Sequence, residues 1–482
     1  MTFKTEKKLP AVPRTAAFAA LALAGTMLGG FSSQASAETY AIDFVTAVGG
    51  GSLLNDAGTL VGVNRTVGFC PAPYPSCYSE NTVVVWPANG GSPVPLPAPP
   101  GLPELSPSGL NAAGWIAGTA SVFSSDFKPQ AVVWKPNGVG YTVQELGLLP
   151  GNTIAKVAGI DRFNRIVGYN KITNILAPDA APFLWSETGG LSNLTAQGFP
   201  NDIPLAISPN GTVALTDRWF RLNVPGVVTP NAALPPGFVA AEAAARINNT
   251  GDQARILITS GSQNLAYLHR YVAHTGSWQL LSGSPSGRLS SHGLGSIDSQ
   301  LNISGTVTGA GVYAAGPSGL AQSLTALLSP AYGGTQVTSA GPRNASGVIT
   351  ANALIGRSSG RLVRLVPVNA CATSCIRVAK LQMTARSVRN CRSDNWVTAA
   401  LTLTTEAGNP LSGVTVKGRF LDDYYLDEKV SGITNSNGVV RFIHRGPACV
   451  GAIAFFADNA AISGRTFDRT QGTLTNYVIP VP

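Results

Sequence analysis

The residues of this chain able to do chemistry are few. It carries six cysteines and four histidines in 482 residues, and 12% of its residues are charged. Cys70 and Cys77 bracket a short Pro/Tyr loop, Cys371 and Cys375 stand four apart, and Cys391 and Cys449 remain. An even count pairs most simply as 70–77, 371–375 and 391–449 disulfides. Zinc is the competing chemistry, with Cys371, Cys375 and Cys391 as thiolate ligands, but no histidine lies near enough in sequence to complete the set. His269, His274 and His292 fall at spacings that fit no helix-borne metal motif, and they read as structural or solvated side chains. Asp422, Asp423, Asp427 and Glu428 surround Tyr424 and Tyr425; their oxygens suit calcium, yet the D-x-D-x-D-G spacing is missing and a solvated hairpin loop explains them. There is no G-x-S-x-G elbow, H-E-x-x-H pair, P-loop or dinucleotide fingerprint. No catalytic, cofactor or metal-binding residue is therefore assigned. One aromatic stands out for ligand binding. Trp115 occupies a slot where equivalent segments carry Thr59, Arg165, Thr212, Asp252 and Val348. An indole offers a broad apolar face and one N–H donor, which suits stacking on a sugar; packing against a neighbouring segment is the alternative.

The elements that must position these residues come from a repeated phrase. It reads NDAGTLVG from Asn55, NAAGWIAG from Asn111, DRFNRIVG from Asp161 and SPNGTVAL from Ser208. It recurs as NNTGDQAR from Asn248, DSQLNISGTV from Asp298 and NASGVITA from Asn344, at intervals of 40 to 56 residues. Asn, Asp or Ser opens a turn by bonding its own backbone, and Gly58, Gly114, Gly211, Gly251 and Gly347 supply positive φ, with Asn164 standing in for glycine in the third copy. A β-branched run follows each turn. A second run then ends on tryptophan: VVVW to Trp86, AVVW to Trp134, PFLW to Trp185. Each unit thus offers three or four short strands, and 54 glycines and 34 prolines oppose long helices. Seven such units predict an all-β fold, a seven-bladed β-propeller over residues 38–368. After a cysteine-bearing junction at 369–395, alternation from Trp396 and the hairpin signals GNPLSG and TNSNGVV predict an Ig-like β-sandwich over 396–482. Cys391 and Cys449 are expected to bond within it.

The pairing of the N-x-x-G turn with PFLWSETGGLSNL resembles the bacterial extracellular HAF repeat, over roughly residues 40–368. Pro182-Phe183-Leu184-Trp185 keeps only the aromatic end of the His-Ala-Phe step that names that family, and the later copies are more degenerate. The resemblance implies export and a propeller-like fold, and no defined catalysis. Residues 376–482 are similar to the Ig-like modules appended to bacterial secreted enzymes and adhesins, which act as spacers or binding accessories.

Export is also written in the first 37 residues. Lys4, Lys7, Lys8 and Arg14 precede an apolar run from Ala16 to Leu28, and Ala35-Ser36-Ala37 forms a cleavage site before Glu38. No later run is long enough for a transmembrane anchor, so the mature chain is expected in the periplasm or outside the cell, as a monomer. Net charge is +9, but the surface is mostly neutral and lacks the Lys/Arg stripes of a nucleic-acid partner. The basic stretch from Arg357 through Arg364, Arg377, Lys380 and Arg386 to Arg392 is either solvated strand or a contact for an acidic polysaccharide or anionic cell surface. The functional expectation is a secreted, non-catalytic protein binding a glycan, a cell-surface component or a protein. The competing reading is an exported hydrolase or lyase acting on polysaccharide, which needs a carboxylate cluster at one mouth of the ring.

Overall fold

The computed structural model describes residues 38–46, 52–67, 79–88, 92–122, 128–138, 140–172, 180–231, 233–260, 265–282, 287–288, 292–307, 311–356, 360–386, 394–422, 427–447 and 452–479. The expected leader (1–37) and Cys70, Cys77, Cys391 and Cys449 lie outside the described residues.

Each copy of the repeat phrase makes one antiparallel sheet. The turn joins a first strand to a second: Glu104–Leu110 to Ile116–Ser121 across Asn111, and Ile154–Ile160 to Ile166–Lys171 across Asp161. The third strand carries the tryptophan, which pairs with the residue that opens the second strand: Leu60 with Trp86, Ile116 with Trp134, Ile166 with Trp185. That register buries all three indoles, because the apolar side of each strand faces the next sheet. The positive φ expected of the turn is present at Gly58, Gly114, Gly211, Gly251 and Gly347, and at Asn164. The degenerate sixth copy puts Leu301 there, at φ 66°, a conformation that costs a branched side chain about 1–2 kcal/mol.

Among the described residues from 40 to 367, seven sheets of this kind form. Apolar clusters join consecutive sheets: Val85 and Trp134 lie in one, Val133 and Phe183 in the next, Val167 and Phe220 in a third, Ala214 and Ile247 in a fourth, Leu268 and Ile303 in a fifth. The circle is completed by Leu362 of the seventh sheet against Leu60 and Trp86 of the first. The seventh sheet is itself composite. Three strands come from Thr335–Arg343, Ile349–Ile355 and Arg361–Pro367, and its outermost strand is the amino-terminal Tyr40–Thr46. The molecule is an all-β propeller.

Beyond it, two four-stranded sheets face each other over Ile376, Val397, Leu401, Val416, Phe420, Phe442 and Phe455, forming a β-sandwich. Its first strand, Cys375–Arg386, lies between Asp394–Thr404 and Thr466–Gly472. This strand falls within the stretch that composition assigns to a junction; a register shift between Val378 and Lys380 breaks its apolar alternation. Just before it, Cys371 and Cys375 form a disulfide with their Cα atoms 6.0 Å apart, which removes them from any zinc set.

The sandwich is not a tethered spacer. Residues 39–482 form one compact unit. Tyr40, Ile42 and Tyr332 of the propeller share one core with Phe455 and Phe456 of the sandwich, and Phe456 packs 5.8 Å from the Tyr332 ring and 5.9 Å from that of Phe44. Arg469 pairs with Asp43 at 2.7 Å and donates to Tyr332 and to the carbonyl of Ile42. Fully buried Arg361 donates to Asp422 O at 2.8 Å.

Candidate functional site at the mouths of the central channel

The first strands of all seven sheets line one channel, a cavity of about 600 Å³ at the end where the repeat turns gather. The wall is tight. A Cβ added at Gly109 would come 2.8 Å from Ile160 N, and one at Gly295 would come 2.0 Å from Gly341 O. These glycines let neighbouring first strands touch backbone to backbone.

The opening asparagine of the turn does more than cap its own backbone. Asn111 Oδ1 accepts from Ala113 N and Trp115 N, as the sequence predicts. Its Nδ2 reaches the next sheet, donating to Asp161 O at 3.0 Å and Asn164 Oδ1 at 2.7 Å. Asn55 does the same to Asn111 O at 3.0 Å, and Asn248 to Asp298 O at 2.9 Å. Asn344 donates to Asn55 O at 3.3 Å and closes the circle. Asp161 has no side-chain donor, so Arg162 N bonds Pro209 O at 2.9 Å instead, and Asn210 bonds Asn249 at the next seam. Asp298 meets Arg343 at 3.9 Å across the sixth seam. The repeat turn is therefore an annular clasp.

This clasp accounts for the repeat carboxylates. Asp56 accepts Ala345 N from the seventh sheet, Asp161 takes Arg165 at 2.7 Å, Asp252 takes Asn248 and Ala273 N, and Asp298 takes Asn302.

The opposite mouth is wider, a cavity of about 940 Å³. Leu53, Val63, Leu105, Val157 and Leu205 give it an apolar wall, and Lys156, Tyr169, Asp202, Thr216 and Arg246 place polar groups on it. Lys156 sits on the sheet face opposite buried Ala155 and Val157 and lines this cavity. Arg246 remains in contact with channel solvent but is ringed by protein, and this desolvation lowers its pKa; Nε donates to Gly295 O at 3.1 Å. Burial likewise raises the pKa of the Tyr169 hydroxyl. One carboxylate, Asp202, lines this mouth among the described residues, and its Oδ1 already accepts Ile203 N.

Trp115 lies on the clasp face, half-buried against the core shared by the second and third sheets. Lys135 Nζ stands 4.9 Å from its ring and 5.6 Å from that of Trp185, and pairs with Glu187 at 2.7 Å. The ring thus has neighbours enough to explain it as seam packing, and it is not among the residues lining the wide mouth. His269 is buried edge-on to Phe238, with ring centroids 4.8 Å apart, and desolvation lowers its pKa against a weak contact to Tyr267 O. His274 is exposed, and of the His292 side chain nothing is described. No group of three metal-ligating side chains forms among the described residues. In the acidic run, Asp427 binds Arg419 and Glu428 contacts His444 Nδ1. No described helix is long and apolar enough to cross a membrane.

No family model matches the chain, and no curated protein matches it. Among solved structures it is similar to a puromycin hydrolase (13% identity, TM-score 0.36), covering 74% of this chain and 59% of that one. It is also similar to prolyl oligopeptidase B from Galerina marginata (7% identity, TM-score 0.37), covering 74% of this chain and 47% of that one. Alignments this loose carry no argument about activity, and the chain spans about half the length of each protein.

The mouth residues Lys156, Tyr169, Asp202 and Arg246 were not singled out in the sequence. A signal exists. Lys156 stands five residues before the turn residue Asp161, and Arg246 two before Asn248, so each is a charge inside a first strand.

Proposed function

We propose that this chain is an exported, non-catalytic binding protein of the HAF-repeat kind, which takes a glycan at the wide mouth of its channel. The observation that carries the reading is the composition of that mouth: an apolar wall bearing Lys156, Tyr169, Asp202, Thr216 and Arg246, all on or beside rigid inner strands. Convergent donors and acceptors on a preformed apolar surface are what a hydroxyl-rich ligand needs. Glycoside hydrolysis by paired carboxylates finds less support, because Asp202 lacks a carboxylate partner among the described residues lining that mouth. The C-terminal module, read from its hairpins as Ig-like, serves here as a brace for the ring.

The test is a glycan array with the purified chain, followed by calorimetric titration of the best ligand. Tyr169→Ala and Lys156→Ala should each weaken binding by about tenfold, the loss of one or two polar contacts, with the melting temperature kept within a few degrees. Release of new reducing ends from any polysaccharide would replace this reading with that of a hydrolase. Undiminished binding by both variants would move the site elsewhere.

A further inference from the structure

A third cavity, about 640 Å³, lies where the closing sheet of the propeller meets the sandwich, and its charges do not balance. On the propeller side, Asp43 and Arg364 are direct cross-strand partners. Asp43 is drawn away by Arg469, whose Nη2 lies 2.7 Å from Oδ1. Asp43 still acts on the charge of Arg364, but among the described residues Arg364 makes one long hydrogen bond, Nη2 to Pro87 O at 3.4 Å, and its buried Nε finds no partner. On the sandwich side, Arg419 is fully used: it grips Asp458 and Asp427 at 2.9 Å and lies 4.1 Å from the centroid of Phe44. Lys417 precedes it by two residues on the same strand face, and Lys429 is its cross-strand partner. Both lysines line the cavity, both are exposed, and among the described residues neither makes a hydrogen bond or ion pair. The two carboxylates lining the cavity, Asp43 and Asp458, are already engaged.

We infer that this cleft binds an acidic polysaccharide, with Arg364 holding one oxyanion and Lys417 and Lys429 flanking the chain. Arg364 offers a planar donor fork, which matches a carboxylate or sulfate group. Arg364 stands on the propeller wall of the cleft and Lys417 and Lys429 on the sandwich wall, and the volume of about 640 Å³ far exceeds that of one inorganic oxyanion, so the complement is a chain with repeated charge. Nucleic acid is also a polyanion, but the aromatic ring here is covered by Arg419, which leaves no stacking platform for bases. The site shares no residue with the wide channel mouth and goes beyond the function proposed for it.

The full mature chain should be titrated with polygalacturonate oligomers, a sulfated polysaccharide, neutral dextran, single-stranded DNA and inorganic sulfate. Binding of either acidic polysaccharide in preference to dextran and DNA is expected, and comparing the two tells whether the oxyanion is carboxylate or sulfate. Lys417→Ala with Lys429→Ala, both on exposed positions, should weaken that binding by about ten- to a hundredfold and flatten its salt dependence. Arg364→Lys, which keeps the charge and removes the fork, should weaken it without changing the salt slope. The inference is overturned if dextran binds as well as the acidic chains, if DNA is preferred, if inorganic sulfate competes at the same concentration as the polymer, or if the double lysine variant binds like the wild type.

Discussion

At the scale of the residue, asparagine in the repeat turn performs two tasks of which aspartate can perform one. Its carbonyl oxygen organises the turn and its amide hydrogen crosses to the neighbouring sheet, because an amide both accepts and donates. Where aspartate stands, a local cation compensates, as Arg165 does for Asp161. Asn111→Asp should therefore cost about 2–4 kcal/mol, through a lost donor and a new buried charge with no partner. Adding Trp115→Arg copies the third turn and should restore part of the loss. Thermal melts of the three proteins check this; a single variant that melts like the wild type would mean that the annular bonds contribute nothing. The turn itself was legible in the sequence, because the demands of Asn and Gly are local. The clasp was not: which side chain reaches the next sheet depends on how two sheets approach, and no spacing along the chain records that.

Individual elements show the same division. The second strands could be placed from the turn signals, and in the first three sheets the third strands could be placed from apolar runs ending on Trp86, Trp134 and Trp185. The first strands were harder, because some are two or three residues long and those that line the mouth carry charges, such as Lys156 and Arg246, where alternation should be apolar. The strand Cys375–Arg386 escaped notice for a different reason, since the register shift between Val378 and Lys380 moves its apolar residues to the other parity part-way along. The fifth sheet offers a test of burial. His269 sits on the strand Leu265–Val272 against Phe238, and desolvation holds its pKa below the usual 6.5. Above pH 6.5 both folded and unfolded chains carry a neutral ring there, and the residue adds no pH dependence. As pH falls from 6.5 toward the folded pKa, the unfolded chain takes up the proton first, so stability is lost in that window. His269→Gln should flatten the fall in melting temperature between pH 6.5 and 5; an unchanged profile would place the titrating group elsewhere.

For the whole molecule, the question is how many independent bodies the chain contains. Repeat pattern and composition divide it at about residue 368, and an appended module reads naturally as a separate spacer. The shared core around Tyr40, Ile42, Tyr332, Phe455 and Phe456, with Arg469 and Arg361 bridging, ties the two together. Contacts between residues hundreds of positions apart leave no trace in a sequence read by windows. Differential scanning calorimetry should show one cooperative transition for residues 38–482, with calorimetric and van't Hoff enthalpies in agreement. Two resolved transitions would restore the independent spacer.

The strand Tyr40–Thr46 is the outermost of the seventh sheet, paired with Arg361–Pro367. It is the first segment of the described chain to be synthesised and among the last to find a partner. A ribosome adding about 5–20 residues per second makes the wait tens of seconds long. During that time the leading strand has an open edge, and even after Pro367 emerges, Arg469 is still missing from Asp43 and the carbonyl of Ile42. The ring cannot lock before almost the entire polypeptide exists. A chain arranged in this way stays unlatched while it is being made, and its final step is a long-range closure that any premature stop would abolish.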